Sequence, residues 1–302
     1  MVCPHLNYTK IYNFDKSPLY RCNECNLIFT NRFLENFDPK DLYEKYYKNE
    51  ISSRFGFGIE YVIKIFRFFR AFKIYSIYPS AKSILDIGSG RGFMLYFLKK
   101  YYKFKRTVGT QISLKAFEFS REKLKLEVYD KDLLELSLGD SSFDIITMLH
   151  VLEHVQQPER YIERIFKLLN NSGKLLIEVP NFNSWTRNLT KQYWLGLDLD
   201  YHLTFFTPET LSSLLRKHHF KIKKIHTFSL EYSTFISTQS FVSLLTKSDH
   251  LFFQYIQMPG FNLKLMPNAF LFLLLAPFCF FINVLLYFSH KGEVLLIAAE
   301  KS

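Results

Sequence analysis

The stretch SILDIGSGRGF, Ser83 to Phe93, decides the fold. A short apolar run ends in Gly88. Gly90 and Gly92 follow at once, and an apolar pattern at helical spacing begins near Arg91. A buried strand, a tight turn and a helix are what such a pattern builds. The glycines let the backbone turn sharply and come close to a ligand, and the N-terminus of the next helix favours negative charge. Two nucleotide loops are excluded by spacing alone. A P-loop ends in G-K-S/T, whereas Gly92 is followed by Phe93; the dinucleotide fingerprint G-x-G-x-x-G requires glycine at 93. The pattern present is D-x-G-x-G-x-G.

Working outward, strand and helix patterns alternate. RTVGTQI (106–112) reads as a strand, LKAFEFSREKL (114–124) as a helix with Ser113 as its cap, and LKLEVYD (124–130) and FDIITML (143–149) as two more strands. A helix entered at Pro158 stops near Asn170 to Gly173, and KLLIEVP (174–180) is the fifth strand. Thr207 caps a helix with Pro208 at its first position, followed by FKIKKIHTF (220–228), an alternating strand, and later by EVLLIAAE (293–300), a buried one. Such alternation predicts an α/β fold, a doubly wound and mostly parallel sheet, which binds ligands beyond the carboxyl ends of its strands.

These residues bear a resemblance. ILDIGSGRG is similar to the first motif of the class I S-adenosylmethionine-dependent methyltransferases. The likeness extends through SFDIITMLHVLEHV, QPERYIERIFKLLNNSGKLLIEVPN and WLGLDLDYHLTFFTPETLSSLL, roughly residues 80 to 225. It implies a Rossmann-like core with an antiparallel last strand, and S-adenosylmethionine as cofactor. It also implies roles. Asp86 and the backbone of Gly88, Ser89, Gly90 and Gly92 hold the methionine part. Asp132 and Leu133 read the adenine. Gln111 stands where the family carries an acid for the ribose hydroxyls; an amide can both donate and accept there but loses the charge-assisted bond.

Within HVLEHV (150–155), His150, Glu153 and His154 have the H-x-x-E-H spacing of one class of zinc hydrolases. That chemistry needs both histidines on one continuous helix, and the strand that precedes breaks it. His150 is instead expected at the carboxyl end of strand FDIITML, against the cofactor, with Glu153 and His154 serving the loop and the next helix N-terminus. Methyl transfer to a hydroxyl or amine needs a base of near-neutral pKa. His202, in DLDYHLTFF, is the first candidate and His150 the second; a carboxylate or acidic phenol would need none.

Both ends carry additions. RCNECNLIFT (21–30) resembles half of a zinc ribbon. Its first pair is damaged, Cys3 being followed by His5 with Leu6 where a second cysteine belongs, so that Cys3, His5, Cys22 and Cys25 form the candidate zinc set. Residues 265–289 contain no Asp, Glu, Lys or Arg, and about 20 apolar residues can span a bilayer. A single span would strand EVLLIAAE on the far side. Pro277 and Asn283 therefore predict a helix–bend–helix hairpin, packed on the core or dipped into one leaflet. The expected organisation is a zinc-ribbon-like appendage (1–35), N-terminal helices (36–79), the core (80–229), the apolar insertion (230–292) and the last core strand (293–302).

The 302 residues are 48% hydrophobic, enough for a sizeable core, and the formal charge of +11 points to an anionic partner. The basic residues are scattered rather than clustered, which argues against nucleic acid. Lys64, Arg67, Arg70 and Lys73, at helical spacing among Phe and Ile, suit anionic headgroups. Four cysteines and an opening without the pattern of a signal peptide predict a cytoplasmic protein, peripheral on the inner face of a membrane. The acceptor is expected to be a small, lipid-linked or glycan-linked molecule methylated on oxygen or nitrogen; the oligomeric state is not legible. The rival expectation is a non-catalytic membrane-associated binding protein that keeps the fold, for which Gln111 is the best support.

Overall fold

The computed structural model describes residues 5–14, 17–35, 57–248, 250–251, 253–254 and 265–302. Cys3 and the whole segment 36–56 lie outside them. The core is a seven-stranded sheet built from β4 (Ser83–Ile87), β5 (Arg106–Thr110), β6 (Glu127–Tyr129), β7 (Phe143–Leu149), β8 (Leu169–Pro180), β10 (Phe220–His226) and β11 (Val294–Lys301). The spatial order is β10-β11-β8-β7-β4-β5-β6. β4, β5, β6, β7 and β8 pair in parallel; β11 runs antiparallel to both its neighbours, β8 and β10. This is the expected Rossmann-like arrangement, with the antiparallel strand set inside the sheet.

Helices cover both faces. Those with described bounds are, in chain order, α1 (Phe57–Ile77), α2 (Phe93–Tyr101), α3 (Leu114–Glu122), α4 (Pro158–Leu168), α5 (Trp185–Thr190), α6 (Pro208–Lys217), α7 (Ser233–Thr246) and α8 (Leu265–Tyr287). The helix α4 is strongly two-sided, burying Tyr161, Ile162, Ile165 and Leu168, which is why its period is so plain in the sequence. α6 begins with a capping box: Thr207 accepts from the Thr210 N–H while the Thr210 hydroxyl accepts from the Thr207 N–H. Ser113 does occupy the N-cap of α3, but its hydroxyl makes no cap bond. The Gln111 side chain does a related job instead, accepting from the Ser113 N–H at 2.9 Å.

A second, smaller sheet has the order β1-β2-β3-β9, formed by Tyr8–Asn13, Pro18–Cys22, Ile28–Thr30 and Thr204–Phe205. All its pairings are antiparallel. The N-terminal strands are thus joined through β9 to the segment that carries His202, and Leu19, Ile28 and Phe29 are buried there.

The apolar segment departs from expectation. Residues Leu265–Tyr287 form one continuous helix with Pro277 inside it, not a bent pair. Proline removes a single N–H from the ladder, and the helix tolerates that loss here. The hairpin partner is α7, against which α8 packs. Asn283 explains the choice: its amide donates to the Ser237 hydroxyl at 2.7 Å and to the Cys279 carbonyl at 2.8 Å. The polar residue that looked like a break is the contact to the neighbouring helix.

Candidate active site

The three glycines take left-handed backbone, with φ of +72°, +55° and +74° at Gly88, Gly90 and Gly92. A Cβ on Gly88 would sit 2.3 Å from Val151 Cγ2. Only a residue without a side chain lets this turn close against the segment after β7 while presenting its backbone beyond the strand end. α1 lies across the same turn, where Glu60 accepts from Arg91 at 2.5 Å.

A pocket of about 290 Å³ opens at the carboxyl ends of β4, β5 and β7. Gly88, Gln111, Asp132, Leu133 and His150 line it, together with Ile112, His154 and Tyr161. Asp86, at the buried end of β4, lies beside Thr147 in the sheet register and accepts from its hydroxyl at 2.7 Å. Burial pushes its carboxyl up to about 6, against the pull of that hydrogen bond and of Arg67 and Arg70. Asp132 caps a short turn, accepting from the Leu134 N–H at 2.8 Å, and its second oxygen accepts from the Tyr161 hydroxyl. Its carboxylate is oriented from two sides. Leu133 is buried beside it.

His150 does fall at the end of β7, with φ +56° and its N–H donating to the Glu178 carbonyl. Its ring lies 3.2 Å from Glu178 and 3.4 Å from Glu153. Burial disfavours its charge, yet the two carboxylates outweigh that and raise the imidazole to about 9. The raised value favours the protonated ring at neutral pH, which weighs against His150 and for His202 as the candidate base. Glu178, despite burial, is lowered to about 2 by Arg70 and His150. Arg70 donates to Glu178 at 2.9 Å, Arg67 donates to Glu231 and Tyr232, and the Tyr232 ring meets His150 at 4.4 Å. The sequence held no sign of this network, because its members come from α1, β7, β8 and the start of the insertion.

His202 is buried and kept neutral by that burial, Glu153 opposing only in part. Its Nδ1 donates to the Gly196 carbonyl at 3.1 Å, which leaves Nε2 as the basic atom. The pocket lining does not include His202; its ring meets that of His154 at 4.7 Å. Glu153 and His154 lie on a 3-10 turn, Leu152–His154, and the helix starts only at Pro158. Glu153 does not cap the helix, whose N-cap position is Gln157; its carboxylate faces the His150 ring at 3.4 Å within the loop. At the N-terminus, His5, Cys22 and Cys25 do come together, their ligand atoms within 4.8 Å of one another and Cys25 Sγ 3.5 Å from His5 Nδ1.

A parallel sheet with one inserted antiparallel strand, and a glycine turn opening a pocket at the strand ends, define a class I methyltransferase. The methyltransferase-domain family profile matches residues 60–225, more than half of the chain, and the chain belongs to that family. It is 29% identical over 107 residues to a ubiquinone biosynthesis O-methyltransferase of Coxiella burnetii, a match covering 34% of this chain and 45% of the relative. It is 28% identical over 102 residues to a probable S-adenosylmethionine-dependent methyltransferase of Mycobacterium tuberculosis, covering 34% and 37%. The chain therefore spans less than half the length of these curated relatives. A crystal structure of an S-adenosylmethionine-dependent methyltransferase from Archaeoglobus fulgidus superposes with a TM-score of 0.50 at 22% identity, over 87% of this chain and all of that one; it supports the fold.

Proposed function

We propose that this chain methylates an oxygen or nitrogen of a small or lipid-linked acceptor, using S-adenosylmethionine, at the cytoplasmic face of a membrane. The observation that carries the reading is the turn at Gly88, whose left-handed backbone and missing Cβ let it close against Val151 and present bare backbone to the pocket. The cofactor supplies an electrophilic methyl group. In this reading the Gly88–Gly92 backbone and Asp86 hold its methionine part, Gln111 meets the ribose through its amide group, and Asp132 with the Leu133 N–H reads the adenine. His150, as a fixed cation, orients Glu178 and Glu153; His202 is the remaining candidate base. The O-methyltransferase relative favours an oxygen acceptor of quinone-like chemistry.

Attachment to a membrane is supported by the way α8 is built inside out. Asn268, Cys279 and Asn283 are its buried residues, while Phe270, Leu273, Phe278, Phe281 and Leu285 face outward. At its end Tyr287 stacks on His226, whose imidazole is lowered to about 4 by burial and by Lys73, Lys224 and His290. Cationic groups therefore gather where an apolar helix stops, as anionic headgroups require. A zinc ion held by His5, Cys22 and Cys25, with Cys3 as the fourth ligand, is part of the same proposal.

Calorimetry with S-adenosylmethionine tests the core of the reading, with saturable binding expected. A folded protein that binds none would leave the fold as a scaffold only. Transfer of labelled methyl groups into a lipid extract, set against a polar metabolite extract, separates the acceptor classes. Carbonate extraction of membranes is expected to release the protein.

A further inference from the structure

We infer that Glu153, His154 and His202 form a second metal site, taking a divalent transition ion of the zinc type at the wall of the pocket. One ligand atom from each lies within 4.8 Å of the other two. Tetrahedral coordination at about 2.1 Å sets donors roughly 3.4 Å apart, a closure within reach of small side-chain adjustments. Two independent features favour an ion. Both histidines spend Nδ1 on a backbone carbonyl, His154 on Tyr201 at 3.0 Å and His202 on Gly196 at 3.1 Å. That is the outer contact which fixes a ligating imidazole and directs Nε2 at a metal. Glu153 is 2% exposed, and neither oxygen makes a hydrogen bond of good geometry among the described residues, the nearest polar group being the His150 ring at 3.4 Å. A buried carboxylate in that state is costly unless a cation answers it.

The nearest basic side chain is His150, whose ring lies 3.4 Å from Glu153 Oε1 and 3.2 Å from Glu178 Oε1. Glu178 has Arg70 besides, so Glu153 is the under-compensated member. Two imidazoles with one carboxylate select a zinc-like ion over magnesium or calcium, which prefer all-oxygen shells. Three protein ligands leave a coordination position open, as in reactive rather than structural zinc sites. His154 also lines the pocket, so an oxygen of the acceptor is the fourth ligand this site would take. That last clause rests on the methyl-transfer reading; the metal site does not.

The test is cobalt(II) titration of the full chain carrying Cys22→Ser and Cys25→Ser, which removes the N-terminal ligands. About one equivalent is expected, with visible ligand-field bands and no thiolate charge-transfer absorption. Adding His202→Gln should weaken binding at least about tenfold, the smallest loss seen when even an outer partner of a metal ligand is removed. Should the double cysteine variant not fold, the parent and His202→Gln chains are compared directly. The parent must then hold one equivalent more of thiolate-free cobalt. Equal cobalt binding with and without His202, or none in the cysteine-free chain, overturns the site. Calorimetry with S-adenosylmethionine on the same samples reports the cofactor reading separately.

Discussion

Gly88 and Gly90 share a backbone conformation but not a surrounding. A side chain in left-handed backbone costs about 1–2 kcal/mol. Gly88→Ala adds to this a collision with Val151, and a tenfold or greater loss of S-adenosylmethionine affinity is expected by calorimetry. A Cβ on Gly90 meets no protein atom within 4 Å, so Gly90→Ala should cost the unliganded fold only the backbone strain, as a lower Tm. Asp86 sets a pH dependence. Its carboxyl, raised to about 6, becomes neutral below that pH, which in the proposed binding mode removes its attraction for the ammonium of the cofactor. Affinity should fall as pH drops from 7 to 5, and Asp86→Asn should flatten the profile. Stability has its own pH window. His150, raised to about 9, stabilises the fold fully below its ordinary pKa near 6.5, and this contribution is lost as pH rises through about 9. Glu178, lowered to about 2, contributes above about 4.5 and ceases to as pH falls towards 2. Tm measured from pH 3 to 10 should therefore decline on both flanks, and His150→Gln should remove the alkaline decline.

At the scale of elements, legibility followed periodicity. β4, β7 and α4 bury nearly continuous or strictly periodic apolar faces, so one chain segment contains the whole signal. The continuous α8 was not legible, because Pro277 and Asn283 are breakers by their own chemistry. Only the serine-rich flank of α7 turns Asn283 into a buried contact. The charge network around His150 escaped for the same reason: Arg70, Glu178 and Glu231 are ordinary surface residues until α1 and the insertion meet. For α8 two opposite outcomes are expected. Exposed substitutions such as Leu273→Ser with Phe281→Ser should leave Tm nearly unchanged. Each removes about 1.5–3 kcal/mol of burial in lipid, so flotation with anionic vesicles should be lost. Asn283→Leu should do the reverse, sparing vesicle binding while costing about 1–3 kcal/mol of stability through the contacts it leaves unmade with α7.

Across the whole molecule, the two sheets are interlocked. β3 pairs with β9, and the Thr30 N–H donates to the Leu203 carbonyl next to His202. The N-terminal strands are thus a wall of the region that holds the candidate base and the proposed metal, whatever they bind themselves. Removing residues 1–35 would uncover Phe206 and Leu203 and discard the buried Leu19 and Phe29, each side chain representing about 1.5–3 kcal/mol. The shortened chain is expected to be insoluble, or to melt many degrees lower, rather than to lose only a metal-binding tag; thermal denaturation of the two forms checks this. The order of synthesis also matters. β11 lies between β8 and β10 yet is translated after α8. A ribosome making this protein extrudes a long greasy rod while the sheet still lacks its inner plank, so that rod stays uncovered until the last strand arrives and the sheet can close.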